Sequence, residues 1–455
     1  MLAVLSLPVL LLAHAHLERS APSAAEQLTT APTAIRLWFS ERPELVFTRI
    51  RLRAPDSSEI ALAAVTAIAD DKMGVAAAIP TPLAPGTYTV LWRTAAADGH
   101  PTSGSFVFTV TGSVSSAAIA APDTAAARRV DGHALVHIDT TAVAPQRLSA
   151  NAATRWLEFV AMLAVVGAVV FRFVVLRGLA RVVPGGAQVE TRAELSDAAR
   201  RLGQSALVLL VIAMVSRLYS EASAVLGPDR AVDHAGLRAM LLDTHWGAGW
   251  LVGLGGAIVA AIGFSIAKRS SSNAGWAVAA LGALGIVLAP PLTGHAMATA
   301  PIPVAFVTDA VHVAAVCAWL GGLLTLLFTA IPFVRGSRAM SSLGTGPLVA
   351  ALVRSFHPVA LTCAGVVVAS GLVSAWLRLP TLASLWESTY GRVLLVKLCF
   401  VALVAVLGTI NWRRMLPRLG DEAAARRLTR TASAELTIAA VVLAVTAVLV
   451  STSPP

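Results

Sequence analysis

GTYTVLWR at residues 86–93 decides the fold of the N-terminal part of the chain. The stretch is rich in β-branched and aromatic residues, and a Pro-Gly pair marks the turn at its start. Similar short runs lie at residues 34–39, 46–52 and 105–110, and Pro and Gly residues separate them. Several short strands divided by turns within about a hundred residues are typical of a small β-sandwich. We therefore predict a sandwich over residues 14–112.

Apolar stretches long enough to cross a membrane fill the chain after residue 153. The sequence of 455 residues is 56% hydrophobic and only 13% charged. A helix needs about 20 apolar residues to cross the hydrocarbon core. Eight stretches approach or exceed that length, at residues 156–176, 202–226, 246–267, 274–290, 304–334, 350–376, 391–411 and 432–451. We predict a membrane protein in which the sandwich precedes a polytopic α-helical bundle of about eight transmembrane helices in residues 153–455. Residues 113–152 are rich in Ala, Ser, Thr and Pro and are predicted to be a linker.

The distribution of the positive charges along the chain is typical of a membrane protein rather than of a nucleic-acid-binding protein. The formal net charge is +10, but Arg and Lys gather in every second loop, at residues 177–201, 268–269, 335–354 and 413–430. The positive-inside rule then places these loops in the cytoplasm and the sandwich outside. Such a distribution is unlike the basic face that binds nucleic acid. Residues 1–13 are too few to span a bilayer and fit a signal peptide; they contain no basic residue, which suggests a truncated start.

Histidines near the predicted cleavage point suggest a metal site. Cleavage after Ala13 would make His14 the mature N-terminus, with an α-amine and an imidazole on one residue, whereas the Ala-x-Ala pattern would leave His16 first. Asp98 and His100 lie two residues apart, so on a strand their side chains share one face. Amine, imidazole and carboxylate form the tetragonal N,O ligand set that Cu(II) prefers, and Zn(II) or Ni(II) also fits. The alternative is a flexible terminus and an ordinary Asp-Gly turn.

The membrane part carries its own candidate ligands. His295 and Met297 lie in a predicted outer loop, and Asp309 and His312 share one face of the fifth apolar stretch. Ionisable residues inside a bilayer are costly and by default mark a pathway. They could pass copper inward, or His312 could shuttle protons. The alternative is that Asp309 pairs with Lys397 or an Arg and only holds helices together.

Two further sets of residues are weaker candidates. In the linker, His133 and His137 would share a helix face, with Asp139 nearby; the alternative is an unstructured tether with incidental histidines. Three cysteines fall in three consecutive apolar stretches, at Cys317, Cys363 and Cys399. They could form a thiolate relay for Cu(I) or pack as small hydrophobes. None lies in the exported part, so no disulfide framework is expected there.

The N-terminal motifs resemble the CopC copper-binding family over about residues 14–110. They are HAHLERSAP at 14–22, LWFSE at 37–41, GTYTVLWR at 86–93, ADGHP at 97–101 and GSFVF at 104–108. The resemblance implies an Ig-like β-sandwich that binds Cu(II) through the mature N-terminal His, an Asp and a His, here His14, Asp98 and His100. Glu41 would lie near these ligands. Met73 is the only methionine of this region, so the Met-rich Cu(I) site of some relatives is not expected.

The remainder resembles the CopD copper-resistance membrane family over about residues 154–451. The motifs are TGHA at 293–296, Asp309 to His312 with WLGG at 319–322, and TYGR at 389–392 with Lys397. Proteins that fuse the two families are linked to copper uptake or homeostasis. The resemblance implies that Cu(II) is captured outside the cytoplasmic membrane and that copper crosses it, as Cu(I) if it is first reduced. The copper ion and the lipid bilayer are the expected partners.

Other functions stay open at this point. A membrane-anchored copper buffer or sensor would confer resistance without transport, and its helices would serve only as an anchor. An enzyme would need a haem held by His312 and His357, which lie at different predicted depths, or oxidase chemistry at an N-terminal copper. We expect no catalytic activity. The sequence has no Walker A motif, so ATP-driven pumping is not expected.

Overall fold

The computed structural model describes most of the chain. The described residues are 17–40, 42–69, 71–95, 101–112, 145–181, 185–226, 231–269, 273–297, 299–336, 345–411, 413 and 422–452. Several predicted ligands lie outside them, namely His14, His16, Glu41, Asp98, His100, His133, His137 and Asp139. The residues that flank the sandwich ligands, Leu17, Ala95 and Pro101, are described.

Two antiparallel sheets form the predicted sandwich. The strands are β1 (Leu17–Ala21), β2 (Gln27–Leu28), β3 (Ala34–Phe39), β4 (Arg49–Arg53), β5 (Glu59–Ile60), β6 (Thr66–Ile68), β7 (Asp71–Ala78), β8 (Gly86–Ala95) and β9 (Pro101–Val110). One sheet has the order β1-β3-β7-β6 and the other β2-β9-β8-β4-β5, where β2 is a short parallel addition at the edge. The stretch expected to be a strand from residue 46 starts as a 3₁₀ turn, Leu45–Phe47, and β4 begins only at Arg49.

The core of the sandwich follows the alternation of the sequence. In β3 every second side chain is buried, and Leu37 and Phe39 are among them. They face Val90 of β8 and Phe106 and Phe108 of β9, all of which are also buried. Burying one such side chain contributes about 1.5–3 kcal/mol, so the facing rows hold the two sheets together. The hairpin of β8 and β9 pairs without a register shift from Gly86 with Val110 to Ala95 with Pro101.

Long helices follow the sandwich. They are α1 (Pro145–Phe173), α2 (Gly185–Leu226), α3 (His234–Leu242), α4 (His245–Arg269), α5 (Ala274–Leu292), α6 (Ile302–Val316), α7 (Gly322–Thr325), α8 (Ile331–Gly336), α9 (Thr345–Arg378), α10 (Ser384–Glu387), α11 (Thr389–Ile410) and α12 (Glu422–Leu449). Eight helical segments within the described residues are long and apolar enough to cross a membrane. They coincide with the eight predicted stretches, so the predicted class of fold is confirmed. In the most apolar stretch of 18 residues, the segment 151–178 has 72% of its residues buried, whereas the segments 347–378 and 389–410 have 6% buried there and present apolar faces for lipid.

The fifth membrane segment is not a regular α-helix throughout. Two π-helical segments, Cys317–Gly321 and Leu326–Ala330, join α6, α7 and α8 into one rod from residue 302 to residue 333. π-Helical turns widen a helix locally and are common at functional sites. Gly321 lies in the first of them, and its backbone is so close to α1 that a Cβ atom would lie 2.1 Å from the Leu163 carbonyl oxygen. The glycines of the WLGG motif therefore have a packing role.

The boundaries differ from the predicted ones in two places. Helix α1 begins at Pro145, so the end of the stretch predicted to be a linker up to residue 152 is helical. The chain also divides into two compact units, and Tyr219–Gly247 belongs with the sandwich rather than with the other helices. That segment contains the end of α2, all of α3 and the start of α4. Sequence composition gave no sign of this grouping.

Candidate functional site

One end of the sandwich carries the residues that flank the predicted copper ligands. Leu17 pairs with Phe39 where β1 begins and β3 ends. The Phe39 ring meets the Trp92 ring edge-on, with centroids 5.2 Å apart, and Trp92 lies near the end of β8. Ala95 closes β8 and pairs with Pro101, the first residue of β9. The chain therefore enters β1, leaves β8 and enters β9 at the same end of the sandwich.

Two hydrogen bonds tie the segment after β3 to the same end of β8. The backbone amide of Glu44 donates to the Ala95 carbonyl oxygen at 2.9 Å. The hydroxyls of Thr48 and Thr94 lie 2.8 Å apart, and both residues are buried. This end is thus well packed. It fits a site shared by an N-terminal histidine and the β8–β9 connection, while the assignment of His14, Asp98 and His100 as ligands stays a prediction.

Glu44 belongs to the same compact unit as the first residue of α4. Burial raises the pKa of the Glu44 carboxyl, and the nearby charges of His245 and then Arg42 oppose that rise. His245 is exposed and is the first residue of α4, within the segment that groups with the sandwich. The grouping of these two residues in one compact unit depends on tertiary structure that no local sequence pattern encodes.

In the membrane part, Asp309 and His312 face helix α9. The Asp309 carboxylate accepts a hydrogen bond from Ser374 at 2.9 Å and forms a 2.5 Å ion pair with Arg378. The His312 Nδ1 atom lies 2.9 Å from the hydroxyl oxygen of Ser370. Residues 370, 374 and 378 recur at the four-residue spacing of one helix face. Asp309 is therefore paired with an arginine, one of the two partners considered for it.

The hydrogen bonds around Ser370 indicate which nitrogen of His312 can bind a ligand. The Ser370 hydroxyl donates to the Val366 carbonyl oxygen at 2.6 Å, which uses its only proton. His312 Nδ1 must then donate to Ser370. In a neutral imidazole this leaves the lone pair on Nε2, the nitrogen that can accept a proton or bind a metal.

The charges around these polar contacts between α6 and α9 sum to a positive value. Lys397 of α11 is half-buried and lies within electrostatic range of Asp309, Arg378 and His312. Two cations thus oppose one carboxylate. Asp309 and His312 could offer a metal one oxygen and one nitrogen, but only if copper displaced Arg378 from the carboxylate.

His295 and Met297 form a separate short turn. They are the first and last residues of a 3₁₀ turn after α5. The Thr299 hydroxyl donates to the His295 carbonyl oxygen at 2.7 Å. His295 is buried. Next to this turn lies a buried ion pair that joins α1 and α2, with Arg217 Nη1 3.2 Å from a Glu158 carboxylate oxygen and Arg217 Nη2 3.4 Å from the hydroxyl of Thr293.

The candidate metal residues do not converge on one cluster in the described part of the chain. There, no group of three or more His, Cys, Asp or Glu side chains is placed to hold a metal ion. Cys317 is buried in the first π-helical segment, Cys363 is half-buried and Cys399 is exposed. A cysteine relay has no support from this arrangement, and its test stays serine substitution of all three with copper flux as the readout.

The sequence singled out Asp309 and His312 but missed their partners. Ser370, Ser374 and Arg378 form a polar stripe on the otherwise apolar last part of α9, residues 364–378. That spacing is visible in the sequence and could have predicted a buried ladder. The spacing does not show which helix packs against this stripe, because it is a property of one helix alone.

Comparison with known families matches three successive segments. Residues 17–111 match the CopC domain, residues 146–304 the copper resistance protein D-like N-terminal domain, and residues 350–449 copper resistance protein D. A copper-family sandwich followed by multi-pass copper-resistance domains defines the class of protein. The chain belongs to the family of CopC–CopD fusion proteins, which confirms the resemblance inferred from the motifs.

Individual relatives match either the whole chain or about a fifth of it. Copper transport protein CutJ of Bacillus subtilis (strain 168) is 26% identical over 463 residues, which cover 100% of this chain and 77% of CutJ. Protein YobA of Escherichia coli (strain K12) is 38% identical over 98 residues, which cover 22% of this chain and 79% of YobA. Copper resistance protein C of Escherichia coli is 33% identical over 105 residues, which cover 22% of this chain and 82% of that protein.

Solved structures resemble the sandwich segment. The crystal structure of CopC from Methylosinus trichosporium OB3b is 26% identical with a TM-score of 0.21, covering 22% of this chain and 95% of that one. The crystal structure of PcoC, a methionine-rich copper resistance protein from Escherichia coli, is 33% identical with a TM-score of 0.20. The match covers 22% of this chain and 99% of PcoC. Two of the relatives reported above, CutJ and copper resistance protein C, are named for copper transport or copper resistance.

Proposed function

We propose that this protein captures Cu(II) outside the cytoplasmic membrane with its sandwich and moves copper inward through its helices, in copper uptake and homeostasis. His14, Asp98 and His100 are the assigned Cu(II) ligands, with His16 as the first ligand if cleavage falls later. His295, Met297, Asp309 and His312 are the candidates in the membrane part, where copper would travel as Cu(I) only if a reductant outside this chain supplies the electron. We assign the protein no catalytic activity.

The convergence of Leu17, Ala95 and Pro101 at one end of the sandwich carries the proposal. Each of these residues lies within three positions of an assigned ligand, and each is paired with a neighbouring strand there. An N-terminal amine and imidazole would lie within reach of a carboxylate and a second imidazole. That is the N,O donor set that Cu(II) prefers.

The order of the membrane segments supports a second step. Consecutive spans alternate in direction, so odd-numbered spans begin and even-numbered spans end on the side where the sandwich enters. Glu158, Asp309 and Lys397 lie near the starts of odd spans, and Arg217 and Arg378 near the ends of even ones. The ionisable groups singled out above therefore lie towards the entry side, and the Arg-rich loops lie opposite. This arrangement suits an entrance fed from the sandwich.

The relative named copper transport protein CutJ, which aligns with the whole chain, supports transport over simple binding. The runner-up function is a membrane-anchored copper buffer or sensor that confers resistance without transport. The Asp309–Arg378 ion pair favours that alternative, because a satisfied pair can serve only to join α6 to α9.

Cell-associated copper in a host that lacks its own copper uptake tests the proposal. The full chain should raise cellular copper, and His100→Ala and Asp309→Ala should each return it to about the level of cells without the protein. Asp56→Asn is the matched control, because Asp56 is exposed in the turn after β4, where Pro55 packs on Gly86 at the opposite end of β8. A fall in cellular copper, or no change while copper still binds outside, would support efflux or buffering instead.

A further inference from the structure

Strand β4 presents three arginines on the outer face of its sheet. Side chains alternate along a strand, so Ile50 and Leu52 are buried in the core of the sandwich while Arg49, Arg51 and Arg53 are exposed. We call these three arginines the basic row. The row places three positive charges side by side on one surface of the sandwich.

The neighbouring strands balance little of this charge. On β8 the residues opposite the basic row include no carboxylate; they are Arg93, Leu91 and Thr89. On β5, Glu59 pairs with Arg53 in the sheet, and its carboxylate lies 4.0 Å from the Arg51 guanidinium. This ion pair contributes little, because both side chains are more than half exposed. In the part of the chain that the structure describes, Arg49 and Arg53 form no ion pair.

Exposed apolar side chains lie beside the basic row. The 3₁₀ turn before β4 leaves Leu45 and Val46 exposed, at 42% and 36% of their surface. Both line a groove of about 720 Å³ together with Arg49 and Arg51. Exposed apolar side chains next to charged ones mark a surface that contacts a protein or a membrane. The groove therefore joins the two kinds of side chain that a membrane surface attracts.

We propose that the basic row, Leu45 and Val46 form a docking surface for anionic phospholipid headgroups. Guanidinium groups bind phosphate through paired hydrogen bonds, and each basic residue near an anionic bilayer adds to the attraction. Leu45 and Val46 enter the boundary between headgroups and acyl chains, where binding strengthens with the apolar area buried. Nucleic acid offers phosphate without such an apolar layer, so the combination favours lipid.

The chain itself keeps a bilayer within reach of this surface. Strand β9 ends at Val110, and the first membrane segment begins at Asn151. A tether of that length holds the sandwich at a high effective concentration relative to the lipid, so weak docking suffices. A soluble acidic protein has no such advantage. Docking of this kind needs no copper, so it goes beyond the proposed function and can be tested without the metal.

Docking has a consequence for the predicted copper site. Leu45 follows Glu44, whose backbone amide donates to Ala95 at the end of β8. The 3₁₀ turn therefore lies at the end of the sandwich that carries the predicted copper ligands. With Leu45 and Val46 at the bilayer, that end is held at the lipid surface rather than in bulk solution. This consequence, unlike the docking itself, rests on the proposed function.

Fluorescence of the labelled full chain tests the docking. An environment-sensitive dye on Leu45→Cys, in a chain whose native cysteines are replaced by serine, is measured without copper in nanodiscs that hold one chain each. Quenching of the dye by acrylamide, which is uncharged, should be at least about threefold weaker with phosphatidylglycerol present than in phosphatidylcholine alone. The same dye on Met73→Cys is the control, because Met73 is 43% exposed on β7 in the other sheet. Its quenching should not depend on the lipid.

Two charge-matched double variants separate the basic row from positive charge in general. Arg49→Gln with Arg53→Gln removes two charges from the row and leaves the ion pair with Glu59 in place. Arg36→Gln with Lys72→Gln removes two charges from β3 and β7 of the other sheet. Only the first double variant should restore quenching in phosphatidylglycerol to the level seen in phosphatidylcholine. Salt at about 0.5 M should do the same to the native chain, because it screens exposed charges.

Three outcomes would overturn the docking surface. They are equal quenching of the Leu45→Cys dye in the two lipids, equal loss of shielding in both double variants, and shielding in phosphatidylcholine that inorganic phosphate alone produces. The last would show a phosphate site in place of a lipid surface. If the native chain raises no cellular copper but the shielding still depends on phosphatidylglycerol and the basic row, the proposed function fails and the docking surface stands.

Discussion

At the scale of single residues, the free α-amine is the least ordinary of the assigned ligands. An amine binds metal only when deprotonated, so a site that includes it must gain affinity as pH rises. His14 would contribute this amine and its own imidazole to one ion. Asp98 and His100 could supply the remaining donors from the connection after Ala95, which ends β8 at the sandwich end described above.

Adding one glycine before the mature N-terminal histidine should weaken Cu(II) binding by at least about tenfold, because the amine moves away from the imidazole. Mass spectrometry of the exported protein first shows whether that histidine is His14 or His16. Competition with a copper chelator between pH 6 and pH 8 then measures affinity, and the native chain should bind more tightly at the higher pH. An extended chain with native affinity and native pH dependence would exclude the amine as a ligand.

At the scale of elements, the polar contacts between α6 and α9 allow a structural role of Asp309 to be distinguished from a functional one. The carboxylate is held by Ser374 and Arg378, and the side chains of Asp309 and Arg378 are 23% and 11% exposed. Removing one partner leaves the other charge unpaired, which costs more than removing both. A double-mutant cycle can therefore distinguish a role of Asp309 in helix packing from a role in the passage of copper.

Asp309→Ala should lower stability in detergent by about 1–3 kcal/mol, less than for a fully buried pair because both side chains retain some exposure. Asp309→Asn combined with Arg378→Gln should recover most of that loss, as followed by the thermal unfolding midpoint. Copper uptake should stay low in the combined variant, since Asn cannot replace a carboxylate ligand. Arg378→Gln alone is the control for loss of the cation. Recovery of stability and uptake together would mean that Asp309 only joins the helices.

The elements also show what the sequence can predict and why. Strand β3 and the eight membrane segments were predicted closely, because alternation and hydropathy are local properties of the chain. The Asp309–Arg378 pair lies between helices that are distant in sequence. It depends on which helices become neighbours, and hydropathy carries no information on that choice.

At the scale of the whole molecule, the same limit applies to Tyr219–Gly247. The apolar pattern assigned this segment to the membrane bundle by default, yet it forms a compact unit with the sandwich. This grouping was not predictable from composition or hydropathy. By contrast, the sequence alone makes a prediction about the side of the membrane, because the Arg distribution and the apolar N-terminal stretch favour the same orientation.

Labelling from outside the cell tests this orientation directly. In a chain with its native cysteines replaced, Ser58→Cys in the sandwich and Leu382→Cys after α9 should react with an impermeant maleimide in intact spheroplasts. Arg269→Cys at the end of α4 should react only after permeabilisation. All three positions are exposed, so accessibility within the protein does not bias the comparison. If Arg269→Cys reacted first and Ser58→Cys only after permeabilisation, the orientation would be inverted. The sandwich would then face the cytoplasm, where it could collect copper for export but not capture it for uptake.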